Sequence, residues 1–120
     1  MNWNSLTSVD QLLMISEESF QQPVVIFKHS TRCSISRAAL DRLERNWKGE
    51  ELPSAKTYFL DLLEHRDISN TIASQWEVEH ESPQLIVIKN NKAVYFKSHF
   101  DIEYNKVKDA LRALSTVAAS

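Results

Sequence analysis

The chain has 120 residues, of which 42% are hydrophobic and 25% charged, and its formal net charge is −2. These values are typical of a globular chain that buries a core without disulfides or a structural metal, and they offer no basic surface for nucleic acid. The apolar runs are too short to span a bilayer, and residues 1–6 lack the pattern of a secretory signal. The sequence therefore predicts one domain over residues 1–120, located in the cytoplasm, with neither nucleic acid nor membrane as a partner.

Hydrophobic spacing predicts helices and strands that alternate along the chain. Apolar residues recur at helical intervals in four segments, which are residues 6–19, 34–47, 67–76 and a closing helix from residue 102. Apolar and β-branched runs predict four strands, which are Val24–Phe27, Lys56–Asp61, Gln84–Ile88 and Val94–Lys97. The predicted order is αβαβαββα.

Apolar faces are predicted for the first two helices. In the first helix the residues at helical spacing are Val9, Leu12, Leu13 and Phe20. In the second they are Ile35, Ala38, Ala39, Leu43 and Trp47. Glycine often follows the last turn of a helix, so Gly49 is expected to end the second one.

The element order also predicts the fold class. Strands separated by helices indicate a parallel sheet that is covered on both sides. Asn90 and Asn91 lie between the last two strands, and asparagine tolerates the positive φ of a tight hairpin turn. The predicted class is α/β, with a central mixed sheet flanked by helices on both faces.

Two residue types are nearly absent, and this narrows the possible chemistry. Gly49 is the single glycine, which excludes a phosphate-binding loop and a dinucleotide fingerprint. Cys33 is the single cysteine, so no intrachain disulfide forms, in agreement with a reducing compartment. Any redox chemistry must therefore use one thiol, with the second sulfur supplied by another molecule.

Cys33 lies between a predicted buried strand and a predicted helix. The free N–H groups and the dipole at a helix N-terminus favour a thiolate over a thiol. Ser36 follows three residues later, about one helical turn, from where its hydroxyl could donate to the sulfur. The alternative is a small buried cysteine that packs like an alanine.

The charged residues and the histidine near Cys33 could have either a functional or a purely structural role. Lys28, His29, Arg32 and Arg37 are close in sequence, and any that faces the sulfur would favour the thiolate. His29 could act as a base, although a histidine at a strand end more often packs or faces solvent. Asp61, at the end of the second predicted strand, could tune proton transfer or could simply be solvated. The four histidines show no metal-ligand spacing, so neither a metal nor a bound cofactor is expected.

Pro83 opens the third predicted strand. A proline is ordinary at the first residue of a strand. The functional interpretation of Pro83 is a cis Ser82–Pro83 bond, which would present the backbone of Ser82 to an extended substrate beside the sulfur.

These segments resemble the thioredoxin and glutaredoxin superfamily, and more narrowly the YtxJ-like monothiol bacilliredoxins. The resemblance rests on "PVVIFKHSTRCSISRAAL" and "ESPQLIVIKNNKAVYFKSHFD" and extends over nearly the whole chain. It implies a thioredoxin-like fold with Cys33 as the nucleophile that takes bacillithiol from modified client proteins. A second bacillithiol molecule, as co-substrate, would then resolve the mixed disulfide.

The same resemblance implies roles for the neighbours of Cys33. Ser36 matches the position of a second cysteine in dithiol relatives, and Pro83 matches the cis-proline, with Ser82 contacting substrate. At the helix N-terminus, Thr31, Arg32 and Ser34 are expected to hold the thiolate and its substrate. The glutaredoxin Gly-Gly pair is replaced by Lys89-Asn90-Asn91-Lys92, which counts against glutathione and against iron–sulfur cluster binding.

The leading hypothesis is thus a monothiol transferase that acts on low-molecular-weight thiols in protein mixed disulfides. One alternative is a non-catalytic thioredoxin-fold module that binds peptides beside Pro83, with Cys33 incidental or modified under stress. The other is an arsenate-reductase-like enzyme, which would need an arginine cluster where the chain offers only Arg32 and Arg37.

Overall fold

Five strands form one mixed sheet at the centre of the molecule. The computed structural model describes the backbone of residues 2–119 and the side chains of residues 2–114. In chain order the strands are β1 (Asn4–Ser5), β2 (Val24–His29), β3 (Lys56–Asp61), β4 (Gln84–Lys89) and β5 (Lys92–Ser98). Their order across the sheet is β1-β3-β2-β4-β5, so β2 is the central strand. The α/β class and the mixed sheet are confirmed.

The four predicted helices are also present. They are α1 (Asp10–Glu18), α2 (Ser34–Asn46), α3 (Arg66–Gln75) and α4 (Tyr104–Ala119). Helix α1 begins later than predicted because the backbone N–H of Leu6 donates to the carbonyl of Phe59 at 2.8 Å, which continues the pairing of β1 with β3. Strand β1 itself was not predicted. None of the described helices is both long and apolar enough to cross a membrane.

The direction of β4 corrects the sequence prediction. Strands β1 and β2 both pair with β3 in parallel, as expected. Strand β4, however, pairs with β2 in antiparallel register, with Gln84 opposite Lys28. The start of β4 therefore lies beside the end of β2, which brings Ser82 and Pro83 to the same edge of the sheet as Cys33.

Alternating residues of β2 supply two cores on opposite faces of the sheet. Val24 and Ile26 face a cluster closed by α1 and α3, whose buried members include Leu12, Ile15, Ile68, Ile72 and Trp76. Val25 and Phe27 face a second cluster closed by α2 and α4, which includes Ala39, Leu43, Tyr104, Val107 and Leu111. Helices thus cover both faces, and β2 is buried along its whole length.

The buried faces of α1 and α2 differ from the predicted ones. In α1 the buried residues are Leu12 and Ile15, whereas Leu13 is 68% exposed and Phe20 58% exposed. In α2 the buried residues are Ser36, Ala39 and Leu43, and Ile35 and Ala38 are exposed. The rotation of α2 turns a serine, rather than an isoleucine, toward the sheet.

One predicted turn is present in the structure, and one predicted helix end is not. The Asn90-Asn91 pair adopts φ of 54° and 59°, which confirms the predicted tight hairpin. Gly49 does not end α2, which stops at Asn46, and it instead opens a short 3-10 helix (Gly49–Glu51). A second 3-10 helix (His99–Asp101) follows β5.

Candidate active site

Cys33 is the N-cap residue of α2. Its backbone is extended, with φ −105° and ψ 120°, and its N–H donates to the carbonyl of Ser30 at 3.2 Å. Its carbonyl accepts the N–H of Arg37 at 3.1 Å, which closes the first helical turn. The residue is partly exposed and its side chain makes no capping hydrogen bond. The sulfur is therefore placed at the positive end of a 13-residue helix with access to solvent.

Ser36 occupies the third position of α2 and is fully buried. Its Oγ accepts a hydrogen bond from the N–H of Ser30 at 3.0 Å. The same Oγ lies 2.7 Å from Nδ1 of His29. No hydrogen bond between Ser36 and Cys33 is found within residues 2–114. The hydroxyl that the sequence assigned to the sulfur is instead bonded to the two residues that follow Lys28.

His29 is the last residue of β2 and is only 5% exposed. Its ring lies 5.5 Å from that of Phe59 and 6.3 Å from that of Phe27, measured between ring centroids. Burial in these apolar surroundings lowers the pKa of His29 below its ordinary value, and the charge of Arg37 also lowers it. Asp61 and Glu44 raise the pKa of His29; the effect of Asp61 is smaller than that of burial but larger than that of Arg37. Burial therefore favours the neutral imidazole, whose free ring nitrogen can accept a proton.

The substrate-binding candidates next to Cys33 form the exposed rim of the site. Thr31, Arg32 and Ser34 are all exposed. Arg32 lies in the loop and Ser34 is the first residue of α2. These exposed residues flank the partly exposed Cys33 on both sides in sequence.

Ser82 and Pro83 border the site from the neighbouring strand. Continuing the β2–β4 register places Pro83 opposite His29, at the start of the cysteine loop. The Ser82–Pro83 peptide bond is cis, as the family resemblance implied. The carbonyl of Pro83 accepts the N–H of His99 at 3.0 Å, and the Ser82 hydroxyl oxygen is buried with no hydrogen-bond partner among the described residues. Cys33, Ser36, Ser82 and Pro83 are thus gathered at one edge of the sheet.

Lys28 does not belong to this site. It is fully buried on the other face of the sheet, where Nζ lies 3.4 Å from the carbonyl of Ser69 and 3.4 Å from Nδ1 of His80. Burial lowers the pKa of Lys28 to about 8. No carboxylate pairs with it among the described residues. Burial of its charge therefore lowers the stability of the fold, and Lys28 does not act on Cys33.

The contact between His29 and Ser36 was not predicted from the sequence, although His29 was named there as a possible base. The signal was available in the strand, because alternate residues face alternate sides. With Val25 and Phe27 on the α2 side, His29 must face α2 as well. No group of three or more His, Cys, Asp or Glu side chains suited to a metal occurs in the described part of the chain.

A mixed sheet with helices on both faces, and one accessible cysteine at the start of the helix after its central strand, define a thioredoxin-fold thiol redox protein. Within this class the chain belongs to the monothiol bacilliredoxin BrxC family, whose family model matches residues 4–107.

Solved structures agree with this assignment. A structure described as a proposed oxidoreductase with a thioredoxin fold is 32% identical, with a TM-score of 0.75, and the match covers 88% of this chain and 90% of that chain. Thioredoxin from Trypanosoma brucei brucei is 18% identical, with a TM-score of 0.70, over 96% and 92% of the two chains. The long form of thioredoxin f from spinach chloroplast is 19% identical, with a TM-score of 0.70, over 95% and 87%. The last two similarities establish the fold alone.

Proposed function

We propose that this protein is a cytoplasmic transferase that removes bacillithiol from protein mixed disulfides through Cys33. The observation that supports this most directly is the position of Cys33, which is partly exposed and lies at the N-terminus of α2 in a chain of the BrxC family. A thiolate is the nucleophile in thiol–disulfide exchange, and this position favours it.

The reaction has two exchange steps. In the first, the Cys33 thiolate attacks the bacillithiol sulfur of the client mixed disulfide, and the client cysteine leaves as a thiolate that takes a proton from water. In the second, the thiolate of another bacillithiol attacks that same bacillithiol sulfur. Cys33 leaves as a thiolate, and the product is the disulfide of two bacillithiol molecules. Electrons balance because one disulfide bond is exchanged for another: one client mixed disulfide and one bacillithiol thiol give one client thiol and one bacillithiol disulfide.

Ser36 suits this one-sulfur mechanism. Ser36 occupies the position from which a second cysteine would attack the mixed disulfide on Cys33 and release the small thiol. A hydroxyl cannot carry out this reaction. The small thiol therefore stays on Cys33 until an outside thiol removes it. The exposed side chains of Thr31, Arg32 and Ser34, and the backbone of Ser82 beside Pro83, are the groups we assign to binding the client and the small thiol.

The test is a transfer assay read by intact-protein mass. Reduced protein is mixed with one client that carries bacillithiol and, separately, with the same client that carries glutathione. We expect the bacillithiol adduct on Cys33 to form faster than the glutathione adduct. The Cys33→Ser variant should form neither adduct while keeping its circular dichroism spectrum.

The other outcomes decide between the remaining functions. Equal rates with both thiols would retain the exchange chemistry but contradict the preference for bacillithiol. Client binding without any adduct on Cys33 would contradict the transferase and favour a peptide-binding module that uses the edge beside Pro83.

A further inference from the structure

The buried ammonium of Lys28 has two hydrogen-bond acceptors among the described residues. Its Nζ lies 3.4 Å from the carbonyl oxygen of Ser69 on α3 and 3.4 Å from Nδ1 of His80. The hydroxyl of Ser69 lies 3.1 Å from the same Nδ1. Lys28 and Ser69 are buried, whereas His80 is exposed. His80 is therefore the solvent-facing member of this cluster.

The contact between Lys28 and His80 requires a neutral imidazole. A lysine ammonium donates hydrogen bonds and accepts none, and both nitrogens of a protonated imidazole are donors. Because the pKa of Lys28 is about 8, its ammonium form prevails over the range in which a histidine titrates. Protonation of His80 would thus replace a hydrogen bond with two positive charges 3.4 Å apart. Since Lys28 is fully buried, His80 is the side chain that can turn into solvent.

Charged groups on the neighbouring elements act on His80. Burial lowers the pKa of His80 most, and the charges of Lys28 on β2 and Arg66 on α3 lower it as well. Glu81, the next residue in the chain, raises it. On α3, Ser69 contributes a neutral hydroxyl. The neutral imidazole is thus favoured, and its protonation requires a pH below the ordinary value of 6.5.

His80 belongs to the segment that leads from α3 to the cis-proline, residues 79–82. The side-chain N–H of Gln84 donates to the carbonyl of Glu79 at 3.0 Å, and the hydroxyl of Ser98 donates to the carboxylate of Glu81. These contacts attach the 79–82 segment to β4 and β5. The side chain of His80 attaches the same segment to β2 and α3, and this attachment depends on the protonation state of its ring.

We propose that Lys28 and His80 position the 79–82 segment for client binding, and that protonation of His80 releases it. Ser82 is the last residue of this segment, and its backbone is the group assigned above to the client. When His80 is neutral, its contacts hold the segment against β2 and α3. When His80 takes a proton from water, its side chain turns into solvent and the segment next to Ser82 becomes more mobile. Both are positioning residues, and their effect on clients rests on the proposed function.

The first test follows the mobility of the 79–82 segment by NMR. Order parameters of backbone amides report motion on the picosecond to nanosecond timescale, and we expect those of the segment to fall from about 0.85 to about 0.6 as His80 protonates. Asparagine places Oδ1 near the position of Nδ1 and does not titrate, so His80→Asn should keep the higher values at every pH. His65→Asn, which removes a histidine beside Glu64, is the matched control and should behave like wild type.

The second test measures the coupling between the two side chains. The ring nitrogens of His80 are titrated by NMR in wild type and in Lys28→Met. Removal of a like charge at this distance should raise the pKa of His80 by about one pH unit, and the segment should then stay ordered when His80 protonates. Either of two results would overturn the proposal. One is the same His80 midpoint in both proteins, and the other is a wild-type segment whose order parameters do not change as His80 protonates.

The third test is the KM for the client in the transfer assay. Cys33 titrates in wild type and in His80→Asn alike, so the ratio of the two KM values removes its contribution. We expect equal KM values at pH 7.5 and a wild-type KM about threefold higher at pH 5, with the ratio of kcat values unchanged because only binding weakens. A KM ratio that stays constant with pH would contradict the role in client binding.

The NMR tests use no bacillithiol and no client. A transfer assay that fails at every pH, together with a segment that loosens as His80 protonates, would therefore reject the proposed function and leave the release of the segment by His80 standing.

Discussion

Lys28 on β2 pairs with Gln84 on β4, and the two strands run in opposite directions. This single pairing assembles the site. Had β4 been parallel to β2, its first residues would lie at the other end of a six-residue strand, about 17–20 Å away. Antiparallel pairing instead sets Ser82 and Pro83 beside the loop that ends in Cys33.

A second thiol at position 36 should convert the site to internal resolution. Side chains three residues apart on a helix lie about 5–6 Å apart at Cβ, a spacing that a small adjustment brings within disulfide range. In Ser36→Cys we expect the small-thiol adduct on Cys33 to give way to an intramolecular disulfide, which intact mass spectrometry detects. Lost hydrogen bonding to Ser30 should cost about 1 kcal/mol of stability. Ser34→Cys, with an exposed thiol next in sequence, is the control, and equal adduct lifetimes in all three proteins would contradict this expectation.

Replacement of the buried Lys28 should stabilise the protein. Its pKa of about 8 lies below the value of 10.5 expected for an exposed lysine. Between these values the unfolded chain binds more protons than the folded one, so stability rises with pH through this window, and below about pH 8 the full penalty is present. We expect Lys28→Met to gain about 1–3 kcal/mol at pH 7, since an unpaired buried charge is removed. The gain should shrink toward pH 10.

Urea unfolding at the two pH values measures this effect. Lys92→Met, at an exposed position of the hairpin, should change little at either pH. A Lys28→Met protein that is less stable than wild type at pH 7 would mean that its contacts with Ser69 and His80 outweigh the desolvation.

Two adjacent leucines of α1 should respond oppositely to truncation. Leu12 is fully buried against α3, and Leu13 is 68% exposed. We expect Leu12→Ala to lower the free energy of unfolding by about 2–5 kcal/mol and Leu13→Ala to change it by about 0.5 kcal/mol or less. Chemical denaturation measures both, and similar losses in the two variants would place the helix in a different rotation.

Asn91 combines a backbone and a side-chain role in the β4–β5 hairpin. It has φ of 59°, and its Oδ1 accepts the indole N–H of Trp76 at 3.0 Å. Asn91→Gly keeps the backbone conformation and loses the hydrogen bond, at a cost of about 1 kcal/mol. Asn91→Ala loses both the hydrogen bond and the favoured backbone conformation, and it should be less stable than the glycine variant by a further amount of about 1 kcal/mol. Thermal unfolding ranks the variants. A glycine variant that is no more stable than the alanine variant would mean that the backbone conformation at position 91 does not contribute to stability.

The sequence was most informative where a local pattern decides the structure. The strand over Lys56–Asp61 was predicted with its observed bounds, and Val24–Phe27 was identified as a strand buried on both faces. The hairpin followed from the tolerance of Asn90 and Asn91 for positive φ. These features depend on side chains a few residues apart.

The misses depend on contacts between distant segments. Strand β1 is two polar, exposed residues that are a strand only because they pair with β3. The direction of β4 is set by how the chain returns after α3, and no local pattern records it. The pair of His29 and Ser36 was missed because the hydroxyl of Ser36 was assigned to Cys33, and the rotation of α2 that turns it toward His29 depends on packing against the sheet.

The absence of a second cysteine also determines how a mixed disulfide on Cys33 would respond to a pool of small thiols. Forming a mixed disulfide on Cys33 consumes one molecule of small-thiol disulfide and releases one small thiol. Its extent therefore follows the ratio of the two, and diluting or concentrating the whole pool leaves it unchanged. A dithiol site releases two thiols when it closes, so its state shifts with the square of thiol concentration. With serine at position 36, the extent of a mixed disulfide on Cys33 would therefore depend on the ratio of small-thiol disulfide to small thiol and not on their total concentration.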